Sequence, residues 1–272
     1  MLHEVTRKLT PKLTHELRLF LIALQFLTRV PVPAWVGWRE DWMNQSARHF
    51  PLVGACVGAF GAAVFWGAAH LWSATMAVML SMVATVWLTG AFHEDGLADT
   101  CDGLGGAVSR QRALEIMKDS RLGTYGTVGL LAVLALKAVA LTGLATRDLA
   151  ATLVLLPVAH CWSRLAAVAL LRALPYAGDP EQAKAKPMAQ QIDSSGLAMA
   201  LAWGFLAALL ALPWWSAPRL VAGALATAVT VWLMARWLRR RLGGYTGDTL
   251  GATQQLSELA VYLVLLAMLS RG

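Results

Sequence analysis

The sequence predicts an all-α fold, a polytopic integral membrane helical bundle of about seven spans plus an N-terminal interfacial or re-entrant helix. Three observations predict it. Hydrophobic residues fill 57% of the 272 positions and charged residues only 14%, against roughly 45–50% and 25% in soluble domains. Between Arg48 and Glu94 run 45 residues without Asp, Glu, Lys or Arg, about twice what one helical crossing of the hydrocarbon core requires. Two more uncharged runs follow, 25 residues from Ser194 to Pro218 and 16 from Leu220 to Ala235. This composition excludes disordered, collagenous and disulfide-rich secreted classes.

The elements follow in chain order. The N-terminus carries Glu4, Arg7, Lys8 and Lys12 and no small-residue cleavage pattern, which argues against a cleavable signal peptide. Leu17 to Val30 contains Arg18, Gln25 and Arg29 and runs into Pro31 and Pro33, a pattern suited to an interfacial or re-entrant helix better than to a full span. Spans are expected at about 50–72, 74–92, 127–145, 149–171, 196–215, 219–235 and 250–269. Cys56, Cys101 and Cys161 are odd in number and widely separated, so they form neither a disulfide framework nor a C-x-x-C metal pair.

The basic residues orient the bundle. With the N-terminus cytoplasmic, 18 of the 23 Lys and Arg fall on the inner side, Arg147, Arg219 and Arg271 on the outer side, and Lys137 and Arg164 within spans. Every loop then obeys the positive-inside rule. The net charge of +7 is thereby a topology signal with attraction to the anionic lipid bilayer, and no nucleic-acid partner is expected. The chain is expected to be one membrane-embedded domain, 1–272, in the cell inner membrane. Within it, 1–49 is a cytoplasmic or interfacial segment, 93–126 an acidic cytoplasmic loop and 236–257 a second polar cytoplasmic loop. Outer connections are very short and inner ones long, so chemistry is expected on the cytoplasmic face.

That chemistry points to the loop His93 to Gly126, which holds six of the sixteen acidic residues. Asp95, Asp99 and Asp102 are spaced i, i+4, i+7, so a helix continuing from the preceding span would stack all three on one face. Stacked carboxylates repel one another unless a cation sits among them, and oxygen-only donors select a hard divalent ion such as Mg²⁺, Mn²⁺ or Ca²⁺. Gly96, Gly103, Gly105 and Gly106 would let a phosphate-bearing substrate approach the backbone. A solvated acidic loop is the bland alternative, disfavoured by the spacing and by the position at a membrane edge.

Further along, Lys118 and Arg121 are placed to bind phosphate oxygens, Arg121 in bidentate fashion, and Asp119 to complete a metal shell. An ordinary basic inner loop explains the same residues equally well. In the segment Gly243 to Glu258, Thr246 and Asp248 suit a helix cap as readily as a ligand site. Arg239, Arg240 and Arg241 read as topology and lipid contacts. His160 and Arg164 lie one helical turn apart within a span and Lys137 in the neighbouring one; ionisable groups at that depth are candidates for substrate contact, with snorkelling as the alternative.

The strings HEDGLADTCDGLGG, EIMKDSRLGTYG and GGYTGDTLGA, with QFLTRVPVP and FPLVGACVG before them in the same order, resemble the cobalamin synthase family, adenosylcobinamide-GDP ribazoletransferase. The likeness runs from about residue 20 to the C-terminus. Glu94 departs from it, standing where the family tolerates an apolar residue, and is a weaker ligand candidate than Asp95. The resemblance implies a membrane phosphotransferase that joins adenosylcobinamide-GDP and α-ribazole, or α-ribazole 5′-phosphate, with release of GMP, and that uses Mg²⁺, one or two ions. It implies that Asp95, Asp99, Asp102 and Asp119 are catalytic and metal-holding. Lys118, Arg121, Gly103, Thr246 and Asp248 would bind substrate, with Asp119 or Asp248 taking the acceptor's proton. Asp99, Asp102 and Gly103 also match the D-x-x-D-G opening of the CDP-alcohol phosphotransferases, but that family's following Ala-Arg and second Asp pair are missing, so the kinship is an analogy. The alternative from another class is a membrane transporter of a divalent cation or a corrinoid. Transporters bind near mid-membrane on broken, repeated helices, and no second copy of the acidic loop occurs.

Overall fold

A computed structural model describes residues 2–106, 109–178 and 189–270. Its eleven α-helices among those residues are α1 (Leu2–Leu27), α2 (Glu40–Ser46), α3 (Phe50–Ala69), α4 (Ala74–Thr89), α5 (Phe92–Gly105), α6 (Arg110–Met117), α7 (Thr124–Ala145), α8 (Leu149–Ala173), α9 (Ser194–Ala211), α10 (Ala217–Arg241) and α11 (Gly247–Leu269). No strand forms among the described residues; an isolated bridge joins Tyr176 and Tyr245. All-α is the outcome that lipid imposes, because a helix satisfies its own backbone polar groups where no water can.

Six helices are long and apolar enough to cross a membrane: α3 with the preceding turn from Asp41, α7, α8, α9, α10 and α11. The pair α4 and α5 makes a seventh if taken as one bent span. The expected spans lie on these elements. α1 runs 26 residues, further than Leu17 to Val30, and is not among the six; its Glu16 meets Arg48 at 3.2 Å and His49 at 2.9 Å, which ties it to the start of α3.

The second expected span departs from expectation in one respect that matters for the site. The helix does not continue from 74–92 into the acidic segment. Gly90 (φ 69°) and Ala91 (φ 59°) are both left-handed, a conformation that stops an α-helix, and α5 leaves at 88° to α4. Arg29 braces this corner, its backbone N–H donating to Leu88 O at 2.8 Å.

α8 and α11 are the most buried spans and α9 and α10 the least, so the first two form the axis of the bundle and the others face lipid. α3 packs on α8 through small residues: a Cβ at Gly54 would run into His160 O, and one at Gly58 would stand 2.5 Å from Leu156 O. Small residues four apart allow this backbone approach between membrane helices. α5, lying across one end, packs on the starts of α7 and α11, and α6 packs on α5.

Polar links gather the long loops at that same end. Arg110 Nε donates to Leu242 O at 2.7 Å and its Nη2 to Ala177 O at 2.9 Å. Tyr245 N–H donates to Pro175 O at 3.0 Å, and Tyr245 OH to Gln190 O at 2.9 Å. Three of the four segments that the Lys and Arg pattern assigns to one side of the membrane thus meet on one face of the bundle.

Candidate active site

The site is built on α5 and the first turn of α11. Along α5 the apolar and small residues Leu97, Ala98, Gly103 and Leu104 are buried, while Asp95 is exposed and Asp99 and Asp102 half-buried, as a helix lying on the bundle's end requires. α11 starts at a capping box: Thr246 Oγ1 accepts from Thr249 N–H at 3.3 Å and Thr249 Oγ1 accepts from Thr246 N–H at 2.9 Å. The cap is therefore Thr246, buried, and Asp248, half-buried in the first turn, accepts from Thr246 Oγ1 at 3.4 Å.

The two elements touch through glycine. A Cβ on Gly96 would stand 2.8 Å from Asp248 O and 3.0 Å from its Cα, so only a residue without a side chain allows this approach. The contact brings Asp248 toward the α5 carboxylates. Asp99 is pushed up to about 7, first by burial and then by the charges of Asp248, Asp95 and Asp102, in that order. A carboxylate under that repulsion gains from a nearby cation.

The other predicted residues fall into place differently. Asp102 Oδ2 accepts from Gly123 N–H at 2.7 Å and its Oδ1 from Gly126 N–H at 2.8 Å; it caps the start of α7 while staying beside Asp99. Asp119 is not brought to this group. Its Oδ1 accepts from Arg121 Nε at 2.9 Å and from Arg121 N–H at 3.1 Å, the Arg121 bonds hold its carboxyl down to about 2, and it is absent from the charges that act on Asp99. Lys118 stands exposed at the end of α6. The glycines serve packing and not open approach. A Cβ on Gly103 would meet Met117 Cγ at 2.6 Å and Ala113 O at 2.9 Å, and those on Gly105 and Gly106 would meet the Tyr125 ring.

Among the described residues no three His, Cys, Asp or Glu side chains already converge in a metal-holding geometry. The chemistry of the donor set nevertheless fits a hard cation: Asp95, Asp99 and Asp248 are oxygen donors whose charges act on one another, and each Asp102 oxygen keeps a lone pair beyond its backbone bond.

Behind the carboxylate face lies a buried polar layer. Glu258 on α11 pairs with Lys137 on α7 at 2.6 Å and with Arg164 on α8 at 3.4 Å, and accepts from Gln254 at 2.7 Å and Tyr262 OH at 3.3 Å. His160 Nδ1 lies 3.0 Å from Arg164 Nη1. All are buried, so Lys137, His160 and Arg164 are held in an internal network with a carboxylate, and together with Glu94 and Gln255 they line an internal pocket. The layer separates two apolar clusters, one around Leu97, Val168 and Leu238, the other around Phe65, Leu155 and Val261. Gln254, Gln255 and Glu258 are not among the residues the sequence singles out, because they continue the polar segment that begins at Gly243.

The cobalamin-5-phosphate synthase family model matches residues 19–266. The chain belongs to the cobalamin-5-phosphate synthase family. It is 63% identical over 259 residues to an adenosylcobinamide-GDP ribazoletransferase of Leptothrix cholodnii, covering 94% of this chain and 97% of that one. It is 45% identical over 257 residues to the enzyme of that name from Vibrio cholerae, covering 94% and 96%, and 44% identical over 262 residues to that of Shewanella amazonensis, covering 94% and 98%. No solved structure matches. The carboxylates, Gly96, Thr246 and the polar layer all lie inside the segment matched by the family model.

Proposed function

We propose that this member of the family catalyses the transfer its relatives are named for. Adenosylcobinamide-GDP is the donor, α-ribazole or α-ribazole 5′-phosphate supplies the attacking hydroxyl, GMP leaves, and adenosylcobalamin or its 5′-phosphate is formed. The observation that carries the reading is the facing of α5 and α11, which gathers Asp95, Asp99, Asp102 and Asp248 on one face beside the long loops. On the positive-inside reading that face is cytoplasmic, where both substrates are expected, and the membrane is the cell inner membrane.

Asp95 and Asp99, with the remaining lone pairs of Asp102, would hold Mg²⁺, which when bound supplies charge neutralisation for the donor's pyrophosphate. Asp248, approaching from α11, takes the proton from the acceptor hydroxyl as its oxygen attacks the phosphoryl group in line. The P–O bond to GMP breaks as the new P–O bond forms, so a single displacement completes the transfer. Lys118 and Arg121, exposed at the rim, contact phosphate oxygens as the substrate seats. Asp119, engaged with Arg121, orients that guanidinium and is left out of the metal shell.

The test is GMP release by detergent-purified protein given both substrates and Mg²⁺. Asp99→Asn and Asp248→Asn are expected to lower kcat by about 10²-fold or more with the fold intact; wild-type rates in either refute the assignment. Turnover without any membrane gradient also excludes transport as the whole activity.

A further inference from the structure

Glu94 and Asp95 are neighbours on α5 with opposite fates. Asp95 is exposed on the carboxylate face, whereas Glu94 is 8% exposed and points into the bundle. Glu94 Oε1 accepts from Gln255 Nε2 at 2.8 Å. Gln255 stands on α11 seven residues, about two turns, after Asp248. Its second N–H donates to Gln254 Oε1 at 2.9 Å, and its oxygen accepts from Lys137 Nζ at 2.9 Å. Lys137 is in turn held by Glu258. One chain of hydrogen bonds thus runs from the buried side of α5 through α11 to α7.

Such a layer is costly inside a membrane protein, and apolar side chains of similar volume would stabilise the bundle as well or better. What hydrogen bonds add over apolar packing is a defined register, since they fail when a helix slides or rotates. α5 is the element that needs one. The 88° bend at Gly90 and Ala91 detaches its direction from α4, and its contact with α11 at Gly96 is smooth on both sides. The Glu94–Gln255 bond lies about 100° round α5 from the carboxylates and ties the helix that carries Asp95 and Asp99 to the helix that carries Asp248.

We propose that Gln255 and Glu94, backed by Lys137 and Glu258, are positioning residues that set the rotation and register of α5 on α11, and so the spacing of Asp95 and Asp99 relative to Asp248. The inference rests on the carboxylate face being the reaction site. Supporting shells of this kind change rate or metal affinity about 10–100-fold when broken, because sub-ångström displacements at a reacting centre are felt strongly.

The experiment uses full-length protein purified in detergent, with kcat and KM measured per folded molecule and Mn²⁺ binding followed by its EPR signal in the absence of substrates. Gln255→Met keeps volume and removes the tie. It is expected to lower kcat about 10–100-fold and weaken Mn²⁺ binding about tenfold or more, with both KM values within about threefold. The swap Glu94→Gln with Gln255→Glu reverses donor and acceptor in the α5–α11 tie, leaves a carboxylate beside Lys137 and gives up the bond to Gln254 Oε1; it is expected to raise kcat and Mn²⁺ affinity about threefold or more above Gln255→Met. Folded Gln255→Met with wild-type kcat and Mn²⁺ affinity overturns the proposal, as does a folded swap variant no better than Gln255→Met. If Gln255→Met does not fold, Gln255→Asn, one methylene shorter and still polar, carries the same comparison. Asp99→Asn measured alongside separates the two failures. Wild-type activity there removes the site reading itself, while loss there with an unaffected Gln255→Met removes only the positioning role.

Discussion

The contact at Gly96 allows the most direct test of how the site is assembled. Replacing Gly96 by Ala places a methyl carbon 2.8 Å from Asp248 O and 3.0 Å from Asp248 Cα. Ordinary contact begins near 3.4 Å, and both obstacles are backbone atoms of a helix, so α5 and α11 must separate by about 0.6 Å. Helix propensity alone favours Ala over Gly by about 1 kcal/mol, whereas overpacking costs about 1–3 kcal/mol. Net destabilisation of about 0–2 kcal/mol is therefore expected. Activity is expected to suffer more: misplacement by about 1 Å costs about 10²-fold, so 0.6 Å corresponds to roughly tenfold. The assay is kcat/KM for GMP release together with a thermal melt of the detergent-purified protein. Gly67→Ala serves as the control, since a Cβ there meets nothing within 4 Å, and it is expected to leave kcat/KM unchanged. Full activity and a raised Tm in Gly96→Ala would show that α5 and α11 do not depend on this approach, and the account of the site would fall with it.

Further outcomes follow from the same geometry. Asp102 holds two backbone N–H groups at the start of α7, so Asp102→Ala is expected to lower stability by about 2–3 kcal/mol in addition to its loss of activity; a melt indistinguishable from wild type would remove the capping role. Asp99 is pushed up to about 7 by burial and the neighbouring carboxylates. The native metal-free state therefore binds more protons than the unfolded chain between about pH 4 and 7, and this group's contribution to stability falls as pH rises through that window. Melts at pH 5 and 8, with and without Mg²⁺, are expected to show a higher Tm at pH 5 only in its absence, and Mn²⁺ binding is expected to weaken below about pH 7 as protons compete. Lys137→Met leaves Glu258 short of its 2.6 Å partner and is expected to cost about 3–5 kcal/mol, partly recovered by adding Glu258→Gln; unfolding in detergent measures both. Asp119→Asn is expected to leave kcat within about threefold and to raise KM through a less ordered Arg121, whereas a collapse of kcat would return Asp119 to the reacting group.

Several of these features are legible in the chain without its fold. Membrane spans depend on local apolar length and on which loops carry Lys and Arg, so α3, α9 and most of α10 fall in the uncharged runs, and α7, α8 and α11 fall in apolar stretches that carry one or two charges each. The i, i+4, i+7 spacing of Asp95, Asp99 and Asp102 is likewise local, and the family motifs lie along one strand of sequence. The helix that carries them is not simply the end of the preceding span, because a left-handed Ala91 beside Gly90 has no strong sequence signature.

Tertiary structure alone decided which groups meet. Asp248 acts on Asp99 across about 150 residues of chain, and Gln255 reaches Glu94 across 161, while Asp119, only 17 positions beyond Asp102, turns to its own Arg121 instead. Gly96 and Gly103 read alone as room for substrate, yet each is filled by a neighbouring helix. Lys137, His160 and Arg164 read alone as candidates for ligand contact, yet Glu258 completes them. The physical reason is common to these cases. Spacing along a helix determines which face a side chain occupies, but charge pairing and close packing depend on what the opposite face of another helix presents, and that is set by the crossing of α5, α7, α8 and α11.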